Sequence, residues 1–140
     1  MIDAKDEALI DLLRKDARMP LKALGASVGL SISAVRERIA RLVETRIIEG
    51  FTIRTAPDFR PHRALMMVTT QSQQCAVVAP KLEHIAEIVA CDSVGGEVDL
   101  VLDVSTASSA RMQEIRDQVA GTEGVVSVVT LPVLVRRFAR

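Results

Sequence analysis

Apolar positions in the first 45 residues recur at helical spacing. Leu9, Leu12 and Leu13 form one stripe behind Asp3, a capping residue, and the acids Asp6 and Glu7 fall where the positive end of a helix dipole favours them. That helix fades before Pro20, because the residue preceding a proline is pushed towards extended geometry. Leu21, Leu24 and Val28 predict a second helix, with Gly29 at the place where a left-handed residue ends helices. Val35, Ile39 and Leu42 are spaced by four and three and fall within a sector of roughly 60°. They predict the buried face of a third helix, capped by Ser31 or Ser33. Its opposite face presents Ser33, Glu37, Ala40, Arg41 and Glu44, with Arg36 and Arg38 on the flanks.

Past this point the pattern changes. Arg46 to Ile53 reads as a short extended segment, and TAPDFRPHR, with two prolines, reads as a linker. ALMMVTT is a strand bounded by polar residues. A helix follows over about Ser72 to His84, kinked or split by Pro80, and then the strand IAEIVACDSV. GGEVD turns the chain into the strand VDLVLDVST. Ala107 to Val119 forms a helix with Met112, Ile115 and Val119 on one face, and GVVSVVTLPVLVRRF is a long last strand that Pro132 interrupts or marks as an edge. The fold class is therefore α+β: an N-terminal three-helix domain over residues 1–50, a linker over 51–62, and a ferredoxin-like βαββαβ domain over 63–140. Two helices on one face of a four-stranded antiparallel sheet leave the other face bare. With valines on both sides of several strands, that face predicts a homodimer through the sheets, or a higher homo-oligomer.

Composition changes this picture little, and charge changes it more. The chain has 140 residues, 49% of them hydrophobic, enough for one ordinary core or two small ones. No apolar run reaches the length of about 18 that spans a membrane, and MIDAKDEALI does not resemble a secretion signal, so the expected location is the cytoplasm. Cys75 and Cys91 lack metal-site spacing and clustered histidines, and both are read as small buried hydrophobes; no cofactor or metal is called for. Net charge is zero, yet residues 18–46 hold six basic groups against two acids. Positive charge is thus focused on one short region, an arrangement that phosphate binding uses.

Two helices joined by a glycine-containing turn, the second one basic, make a helix-turn-helix pattern. On spacing alone this is either a DNA-reading unit or a helical hairpin with a solvated arginine face. The larger pattern decides between them. Asp6 to Leu13 with Arg18, the GLS of Gly29 to Ser31, and Val35, Arg38, Ile39 and Leu42 are followed by Ile48, Gly50 and Phe51. Glu87, Cys91 and Val94 then lead into Gly96 and Asp99, and Gly124, Val125 and Thr130 close the series. In order and spacing over nearly the whole chain, these residues resemble the leucine-responsive regulator/AsnC (Lrp/AsnC) family of transcription regulators. The resemblance implies a protein that binds double-stranded DNA as a dimer or higher closed oligomer, has a short linking strand between its halves, and carries no catalytic activity. Ser31, Ser33, Arg36, Arg38 and Arg41 would then meet DNA, with Arg36 and Arg41 on phosphate or guanine. Arg38 has a competing role, because its place beside the buried face also suits a salt bridge to a neighbouring helix.

The second half of this family often binds an amino acid near subunit contacts. Gly95, Gly96 and Asp99 match its Gly-x-x-Asp loop, whose amides receive a carboxylate while Asp99 meets an ammonium, with Ser93 and Thr130 as neighbouring candidates. By itself, a glycine pair followed by an acid is equally a tight turn, and Asp99 and Asp103, alternating along a strand, are equally two solvated outward acids. Asp92, Val98 and Val128 depart from the residues usual in the family, which implies a changed, narrower or absent ligand preference. Two other classes compete. One is an architectural DNA-binding protein without effector. The other is an enzyme like the siroheme decarboxylases, which share this architecture and for which Arg60, His62 and Arg63 are the one basic cluster available.

Overall fold

The computed structural model describes residues 2–53, 55–56 and 59–138. The chain divides into two compact units, Met1–Arg54 and Thr55–Arg140.

In the first unit, α1 spans Ala4–Lys15, α2 Leu21–Val28 and α3 Ile32–Glu44. Asp3 and Asp6 form a reciprocal capping box: Asp3 Oδ1 accepts from the Lys5 and Asp6 backbone N–H groups at 2.9 Å, and Asp6 Oδ2 accepts from the Asp3 N–H at 3.1 Å. Gly29 ends α2 with φ 65°, the left-handed geometry its position predicts. Ser31, rather than Ser33, caps α3 by accepting from the Ala34 N–H at 3.2 Å. The α2–α3 turn is closely packed, since a Cβ on Gly25 would stand 2.5 Å from the Leu30 carbonyl oxygen. Leu9, Leu13, Leu24 and Val35 are the buried centre of the unit, with Leu12, Leu21, Val28 and Ile39 packed around them.

A carboxylate holds α1 and α3 together. Asp6 is fully buried, and its oxygens accept from Arg38 at 2.8 Å and Arg41 at 2.8 Å. The same Arg38 nitrogen also reaches Asp3 at 2.7 Å. Burial alone would raise the Asp6 pKa, but the bond from Arg38, the Asp3 N–H and the Arg41 charge outweigh it and hold this carboxyl below its ordinary value. The Asp3 carboxyl is lowered as well, by the Asp6 N–H and then by Arg38.

The segment after α3 differs from the expected strand. Arg46 takes φ 55° and the Ile47 and Ile48 N–H groups both return to the Leu42 carbonyl at 2.9 Å, so the chain turns at the helix end. Residues 49–53 join no ladder among the described residues.

The second unit carries β1 (His62–Thr70), α4 (Cys75–Leu82), β2 (Ile88–Ser93), β3 (Leu100–Thr106), α5 (Ser109–Ala120) and β4 (Val125–Pro132). The strands form one antiparallel sheet in the order β2-β3-β1-β4, the ferredoxin-like arrangement. Alternation along β1 and β3 sends Met66, Val68, Leu100, Leu102 and Val104 to one face, where Val78 and Leu82 of α4 and Ile115 and Val119 of α5 seal the core. The opposite face carries Leu65, Met67 and Val101, with Val129 and Leu131 of β4 exposed beside them.

Several sequence expectations are corrected here. Ser72 and Gln73 take left-handed φ values of 52° and 57°, so α4 starts only at Cys75. Pro80 lies two residues before the end of α4 and does not divide it. The last strand stops at Pro132, on an edge of the sheet. Cys91 is exposed, because β2 is the other edge strand, and Cys75 is half-buried. Asp103 is no solvated acid, since Arg63 Nε donates to it at 2.7 Å.

The buried Asp6 carboxylate yields a prediction about stability. A carboxyl whose folded pKa is depressed contributes stability that is complete above the unfolded pKa, about 4 for aspartate, and that is lost as pH falls through the folded value. Asp6→Asn should therefore cost about 2 kcal/mol at pH 7, read by urea unfolding, and the gap to wild type should narrow as pH falls below about 4. A gap unchanged over that range would show that the charge of Asp6 is not what ties the helices.

Candidate DNA-reading helix and effector turn

The residues singled out on α3 divide into two sets. Ser31 and Ser33 are exposed, and their hydroxyls stand 3.0 Å apart at the start of the helix, where backbone N–H groups are free to meet an anion. Arg36 is exposed, and no other described residue bonds or pairs with it. Arg38 is held: its side chain is 23% exposed, and the two aspartates raise its pKa further, Asp6 first and then Asp3. Arg41 is intermediate, half exposed and with one contact to Asp6, so most of its guanidinium donors still face solvent. The salt bridge to a neighbouring helix expected of Arg38 is made to Asp6, a residue that sequence spacing assigned only to the helix dipole and that also holds one nitrogen of Arg41. Nothing local announced it, since Asp6 lies 32 and 35 positions from its partners.

In the second unit, Ser93 ends β2 and pairs with Leu100 across the ladder, and Gly95 and Gly96 are exposed in the turn that follows, Gly96 with φ 124°. Asp99 is only 8% exposed. Its Oδ2 accepts from the Thr70 N–H at 2.6 Å and the Thr70 hydroxyl at 3.1 Å, while its backbone carbonyl accepts from the Val94 N–H at 3.0 Å and the Cys75 thiol at 3.4 Å. Asp99 therefore fastens the turn to the ends of β1 and α4, and no described residue donates to its Oδ1. Thr70 and Cys75 were missed as parts of this turn, because their link to it is formed only by the sheet.

Thr130 stands apart. It lies on β4, opposite Met66, at the far edge of the sheet from Ser93. Three strand spacings separate the two edges, about 14 Å. The Thr130 hydroxyl is buried and has no hydrogen-bond partner among the described residues. An orphan hydroxyl of this kind costs free energy until something fills the site.

Of the basic cluster Arg60, His62 and Arg63, the two arginines line one pocket and His62 does not. Arg63 is engaged by Asp103, whose bond raises its pKa, and Arg60 reaches the Ser105 carbonyl at 3.4 Å. No group of three or more potential metal ligands exists among the described residues, and no described helix is long and apolar enough to cross a membrane.

Comparison with known proteins agrees with this geometry. Residues 2–43 match the AsnC-type helix-turn-helix domain and residues 63–139 match the Lrp/AsnC ligand binding domain. The chain is 31% identical to the HTH-type transcriptional regulator FL11 of Pyrococcus furiosus over 136 residues, 96% of this chain and 90% of that protein. It is 33% identical to the HTH-type transcriptional regulator LrpA of Mycobacterium tuberculosis over 127 residues, 89% of this chain and 85% of that protein. Among solved structures, a feast or famine regulatory protein from M. tuberculosis complexed with L-methionine superposes with a TM-score of 0.88 at 28% identity, covering 99% of this chain and 96% of that one. These relatives are regulators, not enzymes, and the chain belongs to the Lrp/AsnC family of transcriptional regulators.

Proposed function

We propose that this chain regulates transcription in the cytoplasm by reading double-stranded DNA with α3 and by responding to an amino acid held at the sheet. The observation that carries the DNA reading is the exposed, unpaired Arg36 beside Ser31 and Ser33 on the solvent side of a helix whose other side is buried. Arg36 and Arg41 meet phosphate or guanine, and the serines meet phosphate or the groove. Arg38 acts mainly by fixing the pose of α3.

For the effector, Asp99 Oδ1 suits an ammonium, the Gly95–Gly96 amides suit a carboxylate, and Ser93 borders both. Thr130 offers a hydroxyl that lacks a partner. Ser93 and Thr130 stand about 14 Å apart across one sheet, too far for the backbone groups of one amino acid to meet both. Their joint use supports a site shared between two copies, in which the turn of one meets the β4 edge of the next. The apolar outer face of the sheet likewise supports a homodimer or higher homo-oligomer.

Three experiments test this reading. In fluorescence titrations with DNA from upstream of its own coding region, Arg36→Ala should weaken binding several-fold and lower the slope of log K against log salt by about 1; an unchanged slope would return Arg36 to a solvated face. Footprints should show a few phased half-sites, whereas sequence-blind coverage would favour an architectural role. In a thermal-shift panel of amino acids, at least one should raise the melting temperature. Thr130→Val should keep or raise the melting temperature without ligand and shrink that response, while a flat panel would remove the effector.

A further inference from the structure

The solvent side of α3 carries two acids as well as its arginines. Glu37 and Glu44 are exposed, and Ser33, Ala40 and Arg41 share that side with them. At about 100° per residue, Arg36 and Arg41 stand roughly 140° apart around the helix axis, and Glu37 falls between them, about 40° from Arg41. A carboxylate in that place is repelled by every phosphate the two arginines approach.

Glu37 is not spent on the helix itself. It precedes Arg41 by four residues, the spacing and order in which an acid and a base pair best along a helix. Arg41 instead donates to Asp6 at 2.8 Å, and Glu37 has no hydrogen bond or ion pair among the described residues. By drawing Arg41 towards α1, Asp6 leaves the Glu37 carboxylate open on the exposed stripe.

The bases differ in what such a group meets in the major groove. Cytosine offers an amino donor with no acceptor beside it, adenine sets N7 next to its amino group, and guanine and thymine present acceptors. A carboxylate, which only accepts, is therefore matched to cytosine. The early turns of a recognition helix are those that reach base edges. Glu37 lies in the second turn of α3, whereas Glu44 is its last residue.

We propose that Glu37 reads a cytosine in the operator by accepting from its N4 amino group, between Arg36 and Arg41 on either side. This rests on the proposed reading of DNA by α3, and it turns the acid from a liability on that face into the residue that selects a base.

The test takes the full chain and two variants, Glu37→Gln and Glu44→Gln, through selection from a random duplex library, and then measures the enriched sites by fluorescence titration at fixed salt. Wild type should enrich a site with cytosine at a fixed position, and replacing that C·G pair by T·A should weaken binding about tenfold. Glu37→Gln should move that position, and no other, to adenine, whose N6 and N7 a glutamine meets with two hydrogen bonds. Glu44→Gln, which removes the same charge about two turns away, should enrich the wild-type site. An identical site for wild type and Glu37→Gln would overturn the role of Glu37 while leaving α3 as the reading helix. So would the same change in both variants, which would mean a general loss of repulsion and not a base contact. A library from which wild type enriches no sequence would overturn sequence-specific reading by α3, and the role of Glu37 with it.

Discussion

The pose of α3 depends on one buried carboxylate. Asp6 accepts from the capping backbone of its own helix and from two arginines of another, so one side chain ends α1 and fixes α3 against it. A buried carboxylate is stable only when every oxygen is satisfied, and here both are. The consequence reaches function directly. By engaging one nitrogen of Arg38 and one of Arg41, Asp6 leaves Arg36 as the arginine of α3 without a partner among the described residues. The arginine-rich appearance of the helix therefore overstates its free charge, since two of its arginines are tied to α1 and its cap.

A similar logic runs through the second unit. Asp99 sits where an acid is readily taken for a ligand contact, yet one of its oxygens is occupied by Thr70, which anchors the turn between β2 and β3. The other oxygen and the glycine amides stay available beside an anchored backbone. In the proposed site, rigidity and recognition would be carried by different atoms of one side chain. Thr130, with its orphan hydroxyl on the far edge, gives the sheet a second polar point that the fold itself does not use.

What could be read in the residues was what local chemistry decides. Asp3 as a cap, Gly29 as a left-handed helix end, and the stripe of Val35, Ile39 and Leu42 are all set by neighbours within a few positions. The alternation in β1 and β3 was equally plain, because one face of each strand is sealed by helices. Failures arose where distant contacts or backbone irregularities rule. The left-handed geometry of Ser72 and Gln73 delays α4, and that of Arg46 turns the chain where Ile47, Ile48 and Phe51 suggested a strand. Cys91 looked like a core residue, but its strand lies at an edge. The clasp of Asp6 on Arg38 and Arg41, and that of Asp99 on Thr70 and Cys75, span 24 to 35 positions and leave no periodic trace. For the candidate site, residue types were legible from sequence, while the division of labour among them required coordinates.

The central claim is that Asp6 sorts the arginines of α3 into one that fixes and one that reads. It is tested most directly by following the Nε–H resonances of Arg36 and Arg38 by NMR as operator DNA is added. The account predicts that the Arg36 resonance shifts and sharpens on binding, while that of Arg38 stays in place, still held by Asp3 and Asp6. A displaced Arg38 with an unmoved Arg36 would contradict it.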